Sequence, residues 1–160
     1  MILIGIDPGT LIAGYGVVEK KGSHVLHIDN GCLVGTKKAD VATRLFEIYN
    51  QLLVILETFK PQSLALEKAF FGKNIQSTLR LGEARGVILL AAMQKGIAIV
   101  EYSTREVKQA ITGYGQASKE QVQEMVKRLL KLPEVAQVDA SDALALALCH
   151  GNSIRATACL

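Results

Sequence analysis

Two short apolar runs, each closed by an acid, limit what this chain can fold into. Ile2–Ile6 is apolar throughout and is followed by Asp7; Ser63-Leu-Ala-Leu66 is followed by Glu67. A strand that is apolar on both faces has to be covered on both, which calls for a sheet with helices on either side. Between and beyond these runs the pattern alternates. Asp7-Pro8-Gly9-Thr10 is turn chemistry. Gly14–Glu19 and His24–Val34, broken by Lys20-Lys21-Gly22, read as an antiparallel hairpin. Val41, Leu45, Ile48, Leu52, Ile55, Leu56 and Phe59 recur at helical spacing, with Pro61 just past the end.

Ile75–Lys95 predicts a long helix stopped by Gly96. Ile97–Tyr102 predicts a strand and Thr104–Ile111 a short helix. Ser118-Lys-Glu-Gln121 is a capping-box pattern opening a helix to Lys131, with Pro133 after it. Asp139–His150 is the last helix. The sum is three meandering strands, then two βα units, then helices: an α/β domain with a mixed sheet. Its 160 residues fit one domain, expected over 1–150, with a frayed tail at 151–160.

Composition excludes several classes. Hydrophobic residues make up 49% and charged residues 21%, too apolar for a disordered chain. Cys32, Cys149 and Cys159 are scattered, with no CxxC, which fits a reducing cytoplasm better than a disulfide framework or zinc site. No signal-peptide pattern and no apolar run of membrane-spanning length are present. The net charge of +3 decides little, but its distribution is informative. Residues 68–131 carry eleven Lys/Arg against five Asp/Glu, and the rest carry seven against ten. The middle of the chain is a candidate polyanion surface, or else a solvated charged face.

In open α/β sheets, sites form beyond the carboxyl ends of the strands. Asp7, taken alone before Pro-Gly, reads as a turn residue, but Glu is a poor turn and strand former, so Glu67 is harder to explain as structure. Asp139 and Asp142, three apart, share one helix face. Read alone they are an N-cap and an N3 acid. Taken with the two strand-end acids they make one cluster of four carboxylates, which repel one another unless cations intervene. Oxygen-only ligands select hard ions such as Mg²⁺ or Mn²⁺. Two such ions ~3.5–4 Å apart activate water and stabilise the leaving oxygen of a phosphodiester. A basic surface belongs beside such a centre, to hold the phosphates.

The motifs Gly5-Ile-Asp7-Pro-Gly9, Gly14-Tyr-Gly-Val17, Ala65-Leu-Glu67-Lys-Ala-Phe70, Leu81-Gly-Glu-Ala-Arg-Gly86, Val107-Lys108-Gln and Ala140-Ser-Asp-Ala-Leu-Ala145 follow in order along almost the whole chain. In this combination the chain resembles the RuvC family of Holliday-junction resolvases. The resemblance implies a ribonuclease-H-like fold, a five-stranded mixed sheet flanked by helices. It implies a Mg²⁺-dependent crossover junction endodeoxyribonuclease, with two ions per subunit and Mn²⁺ as a substitute. Its partners would be a four-way DNA junction, a second copy in a homodimer, and the RuvA and RuvB branch-migration complex. It would act in the cytoplasm, in recombination and repair, nicking two strands of like polarity to leave 5′-phosphate and 3′-hydroxyl ends.

The family's acidic tetrad falls on Asp7, Glu67, Asp139 and Asp142. The last is His in some members, so an all-carboxylate site is expected here. The junction-inserting aromatic falls on Phe70, with Phe71 beside it, and basic positions fall on Lys108 and Lys119. Lys73, Arg80 and Arg85 are further phosphate-contact candidates. Only eight aromatics exist in the chain, and two of them sit in this one loop. They form either a lid on the core or a wedge that stacks on an unpaired base. Gly82 and Gly86 leave a smooth strip for packing within the subunit or for a dimer seam. His24, His27 and His150 suggest no role, and His150 reads as a helix-end residue. Rival readings are a sugar-kinase-like or chaperone-like ATPase, a catalytically dead junction-binding module, and a nuclease for RNA or RNA–DNA hybrids. No nucleotide-binding motif supports the first, and all four acids are in place against the second.

Overall fold

The computed structural model describes residues 1–68 and 74–154. In chain order the elements are β1 (Ile2–Asp7), β2 (Ile12–Lys21), β3 (His24–Val34), α1 (Val41–Phe59), β4 (Ser63–Glu67), α2 (Ile75–Gln94), β5 (Ala98–Tyr102), α3 (Thr104–Thr112), α4 (Lys119–Leu130) and α5 (Val138–Ser153). The sheet order is β3-β2-β1-β4-β5. The β3-β2-β1 part is antiparallel, and β1, β4 and β5 run parallel. The two apolar runs are therefore central neighbours, as burial on both faces requires.

Alternation along the strands divides the core in two. Ile4, Ile6, Val17, Leu64 and Leu66 pack under α1 and α2 with Ile48, Leu52, Leu56 and Ile88. Leu3, Val18 and Ala65 face α3, α4 and α5 with Val107, Val122, Val126 and Leu144. Each fully buried Leu or Ile contributes roughly 1.5–3 kcal/mol. α1 ends at Phe59, just before Pro61, and Gly96 stands at φ +66° beyond α2, both as expected; Asp40 caps α1 by accepting from the Thr43 amide. The capping box of Ser118 and Gln121 at α4 is formed in both directions. Among the described residues no helix is long and apolar enough to cross a membrane.

The last helix runs to Ser153, three residues past the expected domain end, and Gly151 is buried against Val25 and Leu3. His150 stands in the last turn of α5, as a helix-end residue should, and it is buried there. It is 5% exposed, 2.8 Å from Ser63 Oγ and 2.8 Å from the Tyr102 hydroxyl. Burial lowers its pKa, so the neutral ring joins α5 to β4 and β5.

Helix α5 packs with its backbone close against the first hairpin. Gly5 and Gly16 are paired across β1 and β2, and Gly14 pairs with Asp7. A side chain at Gly5 would run into the Ala143 carbonyl oxygen, and one at Gly14 into that of Asp139. Bare backbone here lets α5 lie directly on the sheet.

Candidate active site

The carboxyl ends of β1 and β4 lie side by side. The register pairs Ile6 with Leu66, so the next residues, Asp7 and Glu67, leave the sheet at the same level. The glycine groove then lowers the first turn of α5 onto the end of β1 and adds Asp139 and Asp142. Neither of these caps the helix. The N-cap is Gln137, which makes no capping bond, and its side-chain oxygen accepts instead from Cys32 Sγ at 3.1 Å. The capping explanation for the two acids is therefore excluded.

Electrostatics ties the four together. Asp7 is raised from 3.8 to about 7, chiefly by burial and then by repulsion from Asp142, Asp139 and Glu67. Lys119 opposes that shift, with its Nζ 2.6 Å from Asp142 Oδ2. Burial works against the lysine's charge. The hydrogen bond to Asp142 and the fields of Asp142, Asp7 and Asp139 outweigh it, and its pKa is raised.

Asp7, Glu67, Asp142, Thr104, Lys108 and Lys119 line one cavity of about 300 Å³, floored by Val107, Val122, Ala145 and Leu146. Asp139 is not in that lining; its charge reaches Asp7 and Cys32 from the β3 side. Among the described residues no three potential ligands already surround a single point. The donor set still fits a hard divalent cation. It is oxygen-only, and beyond the effect of burial Asp142, Asp139 and Glu67 all push the Asp7 pKa up, with Lys119 opposing them.

The other expected contacts separate. Lys108 and Lys119 stand in the acidic cavity on α3 and α4. Arg80 lies outside it, in a neighbouring hollow with Gly9, Thr10, Gln76 and Ser77, and is paired with Glu83 at 3.0 Å. The guanidinium of Arg85, 12% exposed, donates to the Glu67 carbonyl and pairs with Glu101, so it is engaged within the fold. Phe70, Phe71 and Lys73 lie outside the described residues. Much of the basic segment is spent in ion pairs: Lys68 with Glu106, Lys95 with Glu57 and Arg128 with Glu124. Lys119 is paired too, with Asp142, but it and Lys108 stand inside the acidic cavity.

Two features escaped the sequence. The glycine groove had a signal in the spacing of Gly14 and Gly16, which the family motif contains but to which no packing role was attached. Thr104 had none: it donates a hydrogen bond to Glu67 Oε1 across 37 positions.

A mixed five-stranded sheet with acids at the ends of its first and fourth strands and on a crossing helix defines the ribonuclease-H-like class of nucleases. Within it, the family model described as "Crossover junction endodeoxyribonuclease RuvC" matches residues 3–150. A crossover junction endodeoxyribonuclease RuvC from Geotalea uraniireducens is 50% identical over 96% of this chain and 90% of its own. The Thermus thermophilus RuvC structure superposes with a TM-score of 0.85 at 33% identity, covering 95% of this chain and 94% of that one. The same protein in complex with Holliday junction substrate gives 0.87 at 34%, covering 94% and 92%. The chain belongs to the RuvC family of crossover junction endodeoxyribonucleases.

Proposed function

We propose that this chain resolves four-way DNA junctions by paired, symmetric nicks in strands of like polarity, leaving 5′-phosphate and 3′-hydroxyl ends. The observation that carries the reading is the single cavity in which Asp7, Glu67 and Asp142 face Lys108 and Lys119. Carboxylates alone would repel a phosphodiester, and lysines alone would hold it without cutting. The likeness to the Thermus thermophilus protein solved with Holliday junction substrate supports DNA of that shape as the ligand.

In this reading Asp7, Glu67, Asp139 and Asp142 hold two Mg²⁺ ions, for which Mn²⁺ substitutes. Bound there, the ions supply Lewis acidity to an attacking water and to the departing 3′-oxygen. Lys108 and Lys119 fix the scissile phosphate, and Lys119 gives up its pairing with Asp142 as cations enter.

Two nicks need two sites, so the working unit is a homodimer. Among the described residues nothing lies within 4 Å of a side chain built at Gly82 or Gly86 on α2, which argues against packing inside the subunit. The same face exposes Leu79, Leu90 and Met93 at 63%, 58% and 67%. This strip is the proposed seam. Phe70 or Phe71 is the proposed wedge at the crossover, and Lys73 and Arg80 secondary phosphate contacts. The setting is recombination and repair in the cytoplasm, with the junction delivered by RuvA and RuvB.

The test is cleavage of a mobile four-way junction beside linear duplex and RNA–DNA hybrid, with Mg²⁺ and with chelator. Symmetric, metal-dependent nicks on the junction alone are expected. Cutting of the hybrid instead would move the substrate to RNA. Phe70→Ala should slow junction turnover about tenfold or more while leaving duplex affinity unchanged, measured by single-turnover cleavage and gel shift. Equal losses on both substrates would remove the wedge.

A further inference from the structure

We infer that Thr104 is a positioning residue for Glu67, fixing the carboxylate in its metal-binding orientation; this rests on the reading of Glu67 as a metal ligand. Glutamate has three side-chain torsions, and at a strand end its carboxylate would sweep a wide arc. Here the residue is held at two points. Arg85, anchored by Glu101, donates to the Glu67 backbone carbonyl, and Thr104 Oγ1 donates to Oε1 of the carboxylate. The threonine bond engages one oxygen and leaves the other to bind.

The local fold explains why Thr104 is free for this work. Glu67 pairs with Tyr102 across β4 and β5, so the chain after β5 turns past the Glu67 side chain. Ser103 takes the N-cap of α3 and closes a capping box with Glu106. The hydroxyl of Thr104, one residue further on, is not needed by the helix, and it faces the acidic cavity that it helps to line. A hydroxyl donor to a metal-binding carboxylate orients it and raises its affinity, and loss of such a donor typically costs 10–100-fold.

The experiment compares Thr104→Val, which keeps the shape and removes the donor, with Thr104→Ser, which keeps the donor, and Glu67→Gln as control. Mn²⁺ binding to the metal-free dimer is measured by titration calorimetry, beside junction nicking as a function of Mn²⁺. Thr104→Val should weaken Mn²⁺ binding about tenfold and raise the half-activating Mn²⁺ by the same factor. Its rate at saturating Mn²⁺ and its junction KM should stay within about threefold, and its melting temperature in chelator should be unchanged. Thr104→Ser should restore binding. Thr104→Val binding Mn²⁺ like the native chain, while Glu67→Gln does not, would overturn the inference alone. Native binding and cutting by Glu67→Gln would instead overturn the assignment of Glu67. Should the valine variant fold poorly, Thr104→Ala carries the same expectations.

Discussion

Asp7→Asn is expected to bind a four-way junction as well as the native chain and to cut it at least ~100-fold more slowly. Asn keeps the size of the side chain, so the β1 end and the cavity keep their shape. What is lost is the charge at the centre of the acidic cluster, the group that the other three acids surround. Single-turnover cleavage with bound junction separates the two effects. Near-native cutting by the variant would defeat the assignment of Asp7.

The same substitution should make the metal-free protein more stable at neutral pH. Asp7 titrates near 3.8 when unfolded and at about 7 in the fold. A carboxyl with a raised folded pKa binds its proton more tightly in the native state. Stability is then lost as pH rises from about 4 to about 7, and the cost is complete above that. At about 1.4 kcal/mol per pH unit, it reaches at most about 4 kcal/mol. In chelator, the native chain should melt at a lower temperature at pH 8 than at pH 5, and Asp7→Asn should remove most of that decline. Mg²⁺ or Mn²⁺ should abolish the decline in the native chain by neutralising the cluster. A native melting temperature that stays level across this window in chelator would contradict the electrostatic account.

What the sequence revealed follows the range of the interaction. Asp7 and Glu67 were legible because each closes an apolar run, and a strand end is a local feature. The Ser118 capping box and the end of α1 before Pro61 were legible for the same reason, being written within four residues. The roles of Arg85, His150 and Thr104 were not. Their partners Glu101, Ser63 and Glu67 lie 16, 87 and 37 positions away, and only the packing of helices on the sheet and the strand register bring them near. The capping alternative for Asp139 and Asp142 stayed open until α5 was found to begin one residue early, with Gln137 in the cap position. Periodicity gives a helix to within a residue or two, and that error is the difference between a cap and a free carboxylate.

The least legible feature is also the one on which assembly of the cluster depends. Gly14→Ala is expected to destabilise the fold by about 3 kcal/mol or more and to slow cleavage about 100-fold even where the protein remains folded. The added carbon would meet the Asp139 carbonyl and the Ala140 nitrogen, which are backbone atoms with no rotamer to change. Gly14 in turn is fixed to Asp7 on one side and Cys32 on the other by the sheet register. The strain is therefore relieved by lifting the first turn of α5, which carries Asp139 and Asp142 away from Asp7. A displacement of about 1 Å is enough to cost 10²-fold when several groups must act on one phosphate. At roughly 2–4 °C per kcal/mol, the melting temperature should fall by about 10 °C. Gly22→Ala is the matched control. That glycine sits at φ +56° in the open hairpin turn with nothing within 4 Å, so its substitution strains only the turn and should leave cleavage unchanged. Equal cleavage by the two variants would separate the glycine groove from the chemistry. Loss confined to Gly14→Ala would tie the placement of the two α5 carboxylates to the absence of one methyl group.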